Sequence, residues 1–188
     1  MKTMFLSMIA AYLCGNVYIF VRALQTLSAW SWVWKVLFSL GYWAAALALA
    51  LSIFVLRHVE MPESLSQGLF TIGSVWLVFT LYMVLALLAT DLARLFIPAI
   101  KPYGFSISLG VIVCLLTYGY FNYKHPDINH LDITIDKPLS GEPIKVVAIS
   151  DVHLGNGTRK AQLKQFVEMI NAQYPDLIII GGDLIDNS

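Results

Sequence analysis

Three side chains near the C-terminal end of the sequence have the types and the spacing of metal ligands. Asp151 and His153 stand two residues apart in the segment Ile144–Gly155, and Asp183 stands in the segment Pro175–Asp186. On extended backbone, side chains two residues apart point to one face, so both can hold one cation. A carboxylate such as that of Asp183 can bridge two cations about 3.5–4 Å apart, the spacing of two-metal sites. Carboxylate and imidazole ligands together favour Mn, Fe or Zn over Ca or Mg.

The elements that must position these side chains form a predicted strand–helix–strand unit. Ile144–Ser150 and Leu177–Ile180 are continuous apolar runs, which predict strands buried on both faces. The segment between them predicts a helix with Thr158 as its N-cap and one apolar stripe, formed by Leu163, Phe166, Val167 and Ile170. A right-handed crossover makes such strands parallel, so their carboxyl ends meet at one edge, where open α/β sheets build their sites.

Each motif is weak evidence when taken alone. A surface aspartate beside a hydrogen-bonded histidine accounts for most Asp-x-His sequences, and Gly181-Gly182-Asp183 alone predicts only a tight turn. Both motifs follow consecutive apolar strands across a single helix, and this combination favours a metal site. A non-catalytic unit of the same topology with acidic turns remains the alternative.

The segment from Ile144 to Asp186 resembles the calcineurin-like metallophosphoesterases, and within them a bacterial membrane-attached branch with an N-terminal helical anchor. The resemblance rests on SDVHLG at 150–155 and PDLIIIGGDLID at 175–186. It implies that Asp151 and His153 bind one of two divalent metal ions and that Asp183 bridges both. It further implies an enzyme in which a metal-activated hydroxide attacks phosphorus and hydrolyses a phosphomonoester or phosphodiester.

The later motifs of that family, a Gly-Asn-His element and further histidines, do not follow in this sequence. We therefore expect residues 144–188 to be the N-terminal part of a truncated catalytic domain, with an incomplete second metal site. No catalytic residue beyond the three metal ligands is assignable. His58, His125 and His130 precede the sheet and are interpreted as loop or interfacial residues.

Residues 1–121 have the composition of a membrane anchor. The chain is 58% hydrophobic and 13% charged, and residues 1–121 hold six Lys/Arg and three Asp/Glu, against six and nine in residues 122–188. About 20 apolar residues cross a bilayer core. Four apolar stretches therefore predict a bundle of four transmembrane helices, near Met4–Leu24, Val33–Leu56, Leu69–Ala89 and Phe105–Phe121.

Four crossings place both termini on the same side of the membrane. We expect this membrane to be the bacterial cytoplasmic (inner) membrane. Three Lys/Arg lie on the same side of the membrane as the termini, and four lie on the other side. Because cytoplasmic loops carry more Lys/Arg, this small difference slightly favours an extracytoplasmic C-terminal part. Asn16 is the main polar residue within the spans, and Asp91 and Arg94 can pair on one helical face. A packing role for these residues is favoured over an ion pathway.

Residues 122–143 are predicted to be a linker in which the alternating segment Leu131–Asp136 forms an edge strand. The expected partners are the lipid bilayer and a phosphoester substrate, which the membrane location makes a candidate for being lipid-linked. No basic stripe indicates nucleic acid binding. The alternative function is that of a non-catalytic membrane or assembly protein in which the strand–helix–strand tail is vestigial.

Overall fold

The computed structural model describes residues 2–55, 62–135, 143–155, 158 and 160–185. The chain forms two compact units, Met1–Ile128 and Asn129–Ser188. The first unit consists of long apolar helices, and the second contains the small parallel sheet that carries the predicted ligands.

Four long helices form the first unit, together with a short 3-10 turn at Pro98–Ile100. They are α1 (Lys2–Thr26), α2 (Trp32–Val55), α3 (Glu63–Phe96) and α4 (Gly104–Lys124). All four are long and apolar enough to cross a membrane by length and composition. The four predicted helices are therefore present, and α3 extends beyond its predicted range of Leu69–Ala89 at both ends. The charged sequence from Arg57 to Glu63 predicts a loop between the second and third helices; its residues 57–61 lie outside the described residues, and α3 begins at Glu63.

Helix α3 is the centre of this unit and contacts each of the other three long helices. Its buried Met83 and Leu87 pack with Ile19 of α1, Tyr42 of α2 and Ile112 of α4. Large apolar side chains cover the outside of the helices as well, for example Leu40, Leu81 and Val111, which are 65%, 59% and 54% exposed. A helical unit that is apolar both inside and outside has the surface of a membrane protein.

Asn16 is the polar centre of the helical core and is fully buried. Its side-chain oxygen accepts hydrogen bonds from the Trp76 indole at 2.9 Å and from the Tyr42 hydroxyl at 3.1 Å. Its amide nitrogen donates to the carbonyl of Tyr12 at 3.0 Å. These contacts connect α1, α2 and α3 and satisfy the buried amide, which agrees with the predicted packing role.

The second unit contains β1 (Val146–Ile149), α5 (Lys160–Asn171) and β2 (Leu177–Ile180). The two strands pair in parallel, with Val146 opposite Leu177 and Ile149 opposite Ile180, so the predicted strand–helix–strand order is present. Asp176 immediately precedes β2, and its carboxylate accepts a hydrogen bond from the Lys145 N–H, just before β1, at 2.8 Å. This hydrogen bond aligns the start of β2 with the start of β1.

One prediction about this unit is wrong. Leu131–Ile135 belongs to no strand, while Asp136 lies outside the described residues. Alternating polarity is not sufficient for a strand, because the backbone also needs a paired neighbour. The apolar strands are largely uncovered, since every residue of β2 is exposed and Ile178 remains 47% exposed. The described residues supply one helix and two strands here, too few to cover both faces of a sheet.

Candidate metal centre

The backbone after β1 runs beside the backbone after β2, and this arrangement brings the predicted ligands to one edge of the sheet. The Gly181 N–H donates to the Ile149 carbonyl at 2.7 Å. Further on, the Asp151 N–H donates to the Gly182 carbonyl at 3.3 Å, and the His153 N–H donates to the Asp183 carbonyl at 2.9 Å. The two loops are thus joined at the residues that carry the chemistry.

All three predicted ligands have left-handed backbone. The φ angles are 55° at Asp151, 48° at His153 and 46° at Asp183, and Gly182 has a φ of 115°. The condition of extended backbone, under which Asp151 and His153 would point to one face, is therefore not met. Asp and His are among the few non-glycine residues that tolerate this region. Strained backbone of this kind is concentrated at functional sites, where the surrounding structure holds it in place.

The three side chains form one cluster despite the unexpected backbone. Each of Asp151, His153 and Asp183 offers a ligand atom, these atoms lie within 4.8 Å of one another, and all three residues are exposed. The His153 Nε2 lies 4.0 Å from the Asp151 Oδ1. Two ligands bound to one ion at about 2.1 Å span at most about 4.2 Å, so this pair fits a single cation. Asp151 and His153 thus fit a divalent metal in both chemistry and spacing, and a ligand atom of Asp183 lies within 4.8 Å of theirs.

Thr158 supports the loop that carries Asp151 and His153. Its hydroxyl donates to the Val152 carbonyl at 2.6 Å, and its N–H donates to the His153 carbonyl at 3.3 Å. The predicted role of helix N-cap is wrong, because α5 begins at Lys160 and the Thr158 hydroxyl is directed back to the loop. No sequence signal distinguishes these two roles, since both require a hydroxyl just before the helix.

Among the residues that the structure describes, His153 is the one histidine found in the candidate cluster. His125 follows the last residue of α4, and its Nδ1 lies 2.8 Å from the Phe121 carbonyl oxygen. His130 is exposed, and His58 lies outside the described residues. These positions agree with the interpretation of His125 and His130 as ordinary loop or interfacial residues.

Comparisons with known proteins give several relatives described as metallophosphoesterases. An uncharacterised metallophosphoesterase of Campylobacter jejuni is 28% identical over 186 residues, which is 93% of this chain and 48% of the relative. A zebrafish transmembrane protein with a metallophosphoesterase domain is 32% identical over 43% of this chain and 19% of its own. A UDP-2,3-diacylglucosamine pyrophosphatase of Chlamydia muridarum is 31% identical over 44% of this chain and 27% of its own.

The chain thus spans about half of the Campylobacter relative and less of the other two. No protein-family model matches the chain, and no solved structure does. The similarity to the Campylobacter protein runs through both the helical unit and the unit that contains the Asp-x-His and Gly-Gly-Asp motifs. The Asp-x-His and Gly-Gly-Asp motifs, their meeting at one sheet edge and the matching relatives together make this chain similar to the calcineurin-like metallophosphoesterases.

Proposed function

We propose that this chain is part of a membrane-anchored, metal-dependent phosphoesterase that hydrolyses phosphomonoesters or phosphodiesters at a two-metal site. The observation that carries the proposal is the convergence of Asp151, His153 and Asp183 at the carboxyl edge of two parallel strands. The similarity to relatives described as metallophosphoesterases supports a hydrolase that uses divalent metals, and the donor set of two carboxylates and one imidazole favours Mn, Fe or Zn.

In this proposal, the side chains of Asp151 and His153 hold the first cation, and the Asp183 carboxylate is shared between the first and the second. When bound, such cations polarise a phosphoryl oxygen and lower the pKa of a bound water. The backbone hydrogen bond between His153 and Asp183, at 2.9 Å, fixes the separation of the two loops before any cation arrives. The exposure of all three residues leaves the cluster open to a substrate.

We further propose that α1–α4 insert into a bilayer and hold the enzyme beside lipid-linked phosphoesters. The apolar outer faces of these helices and the naming of relatives as transmembrane proteins support the anchor. The name of the Chlamydia relative gives it a UDP-2,3-diacylglucosamine substrate, in which a pyrophosphate joins uridine to an acylated sugar. This supports a substrate class with an acyl-bearing part in the bilayer and a phosphoester at its surface.

The metal site is tested by measuring Mn²⁺ binding to the purified 188-residue chain in detergent. The wild-type chain should bind Mn²⁺, and the Asp183→Asn variant should lose at least about tenfold in affinity, because an amide replaces the charged ligand. Asparagine tolerates left-handed backbone, so this change tests the ligand rather than the loop. The control is Asp132→Asn, which removes an exposed carboxylate outside the cluster.

Equal Mn²⁺ binding by the wild-type chain and Asp183→Asn would overturn the metal site. Absence of binding in the wild-type chain would favour the alternative of a non-catalytic membrane or assembly protein. The substrate class is tested in the intact protein with matched assays of a lipid-linked phosphodiester and a soluble phosphodiester that has the same leaving group. Faster cleavage of the lipid-linked compound is expected, and equal cleavage would refute the lipid preference.

A further inference from the structure

A cluster of charged side chains lies at one end of the helical unit, and the metal site does not use it. The Asp91 Oδ1 contacts Arg22 Nη2 at 2.9 Å and Arg94 Nη1 at 3.3 Å. The other oxygen of Asp91 accepts the Tyr18 hydroxyl at 2.6 Å. Sequence spacing predicted the pairing of Asp91 with Arg94, whereas Arg22 and Tyr18 come from a different helix.

The cluster has one more positive charge than negative. Two guanidinium groups share a single carboxylate, since both lie within ion-pair distance of its Oδ1, while its Oδ2 accepts the Tyr18 hydroxyl. Each guanidinium carries five N–H donors, of which only a part can point at Asp91. The side chains of Arg22 and Arg94 are 15% and 35% exposed, so the remaining donors can be reached from outside the helices. An acceptor with negative charge would complete the cluster.

The first turn of α4 adds to the positive potential. Helix α4 begins at Gly104, where an added Cβ would lie 3.7 Å from Arg22 Nη2. Tyr103 precedes the helix without a side-chain hydrogen bond to its first turn. The N-terminus of a helix carries a partial positive charge from its unpaired N–H groups. This partial charge therefore lies beside the Arg22 guanidinium.

The position along the helices indicates where the missing anion comes from. Arg22 is four residues before the end of α1, and Arg94 is in the last turn of α3. In an inserted anchor, these helix ends lie where the hydrocarbon core meets the headgroups. A planar guanidinium binds phosphate with two parallel hydrogen bonds. We propose that Arg22 and Arg94 bind the phosphate group of an anionic phospholipid headgroup at this end of the helical unit.

The test uses the purified 188-residue chain in uncharged detergent at physiological salt, with binding of single lipids followed by native mass spectrometry. The probes are phosphatidylglycerol, phosphatidylcholine and inorganic phosphate. Phosphatidylglycerol should bind in preference to the other two. Arg94→Gln should weaken phosphatidylglycerol binding about fivefold, the effect of one basic side chain at an anionic surface. Arg94→Lys should lose less, because it keeps the charge.

Lys101→Gln is the matched control, since it removes one exposed positive charge from the α3–α4 connection and contacts no member of the cluster. It should change the affinity less than twofold. A loss equal to that of Arg94→Gln would indicate unspecific attraction and overturn the proposal. Equal binding of phosphatidylcholine or of inorganic phosphate would overturn the lipid source.

A second variant, Arg22→Gln, keeps the proposal testable if Arg94→Gln fails to fold, as judged by its circular dichroism. Wild-type affinity in both folded variants would mean that the cluster is only an internal ion pair. The site rests on the proposed membrane anchor but not on the metal centre. Asp183→Asn should therefore leave phosphatidylglycerol binding unchanged while it lowers Mn²⁺ binding, so failure of one proposal is distinguishable from failure of the other.

Discussion

Gly73 is the position where the helical unit should be most sensitive to a single added methyl group. A Cβ placed on Gly73 of α3 would lie 2.5 Å from the Cα and 2.6 Å from the Cβ of Leu49 on α2, and it would also clash with the Leu49 backbone nitrogen. The 2.5 Å distance to the Leu49 Cα is about 0.9 Å below the 3.4 Å at which ordinary van der Waals contact begins. Backbone atoms cannot rotate away, so Gly73→Ala must separate α2 from α3.

The expected magnitude follows from two opposing terms. Overpacking costs about 1–3 kcal/mol, and the rigid neighbour places this substitution near the upper end. Alanine in place of glycine within a helix recovers about 1 kcal/mol of helix propensity. Gly68→Ala is the matched control, because Gly68 lies on the same helix and nothing is within 4 Å of an added Cβ. The propensity term cancels between the two variants, so their stability should differ by about 2–3 kcal/mol.

The assay is unfolding of the purified chain in mixed micelles by increasing dodecyl sulfate, followed by circular dichroism and tryptophan fluorescence. Gly73→Ala should unfold at lower dodecyl sulfate than the wild-type chain, and Gly68→Ala at the same or higher dodecyl sulfate. If the two variants differ by less than about 0.5 kcal/mol, within the usual range for neutral surface substitutions, the close packing of α2 on α3 at Gly73 is refuted.

Three further perturbations test other parts of the chain. Asn16→Leu should destabilise the helical unit by about 1–2 kcal/mol in the same titration, because the buried Trp76 N–H loses its acceptor; an unchanged midpoint would refute the hydrogen-bonding role of the amide. Thr158→Val should weaken Mn²⁺ binding while Thr158→Ser retains it, since only the hydroxyl reaches the Val152 carbonyl; equal affinities would exclude that support. A spin label at the exposed Leu81, midway along α3, should be accessible to oxygen and shielded from an aqueous nickel complex in liposomes; the reverse result would refute insertion.

Hydropathy was enough to locate all four long helices but not to find the full extent of α3. The helix continues through Asp91 and Arg94, residues that an apolar window excludes, because each of these charges has an ionic partner. The pairing of Asp91 with Arg94 within α3 follows from the helical repeat, because the two residues are three positions apart. The contacts of Asp91 with Tyr18 and Arg22 could not be predicted, since they depend on how two helices distant in sequence are packed.

The residues that form the candidate metal site could be predicted from the sequence, but their backbone conformation could not. Asp151 and Asp183 each follow an apolar run, and parallel pairing of those runs is sufficient to bring the carboxylates together. The left-handed φ angles and the role of Thr158 depend on hydrogen bonds between the two loops, which a pattern of apolar and polar residues does not encode. The prediction of an edge strand at 131–136 was wrong for a related reason. Alternation of apolar and polar residues is a property of one segment, whereas a strand also needs a second segment with which its backbone can pair.

The left-handed backbone at Asp151, His153 and Asp183 also affects how these positions can change during evolution. Selection has two separate reasons to keep their residue types, since aspartate and histidine serve both as metal ligands and as tolerated residues at positive φ. In a descendant that had lost its metal, the positive φ angles would still restrict the residue types at these positions. Substitution by asparagine or glycine should therefore occur before substitution by valine or isoleucine. Asparagine at 151 or 183 in a relative would therefore indicate lost chemistry in a retained fold.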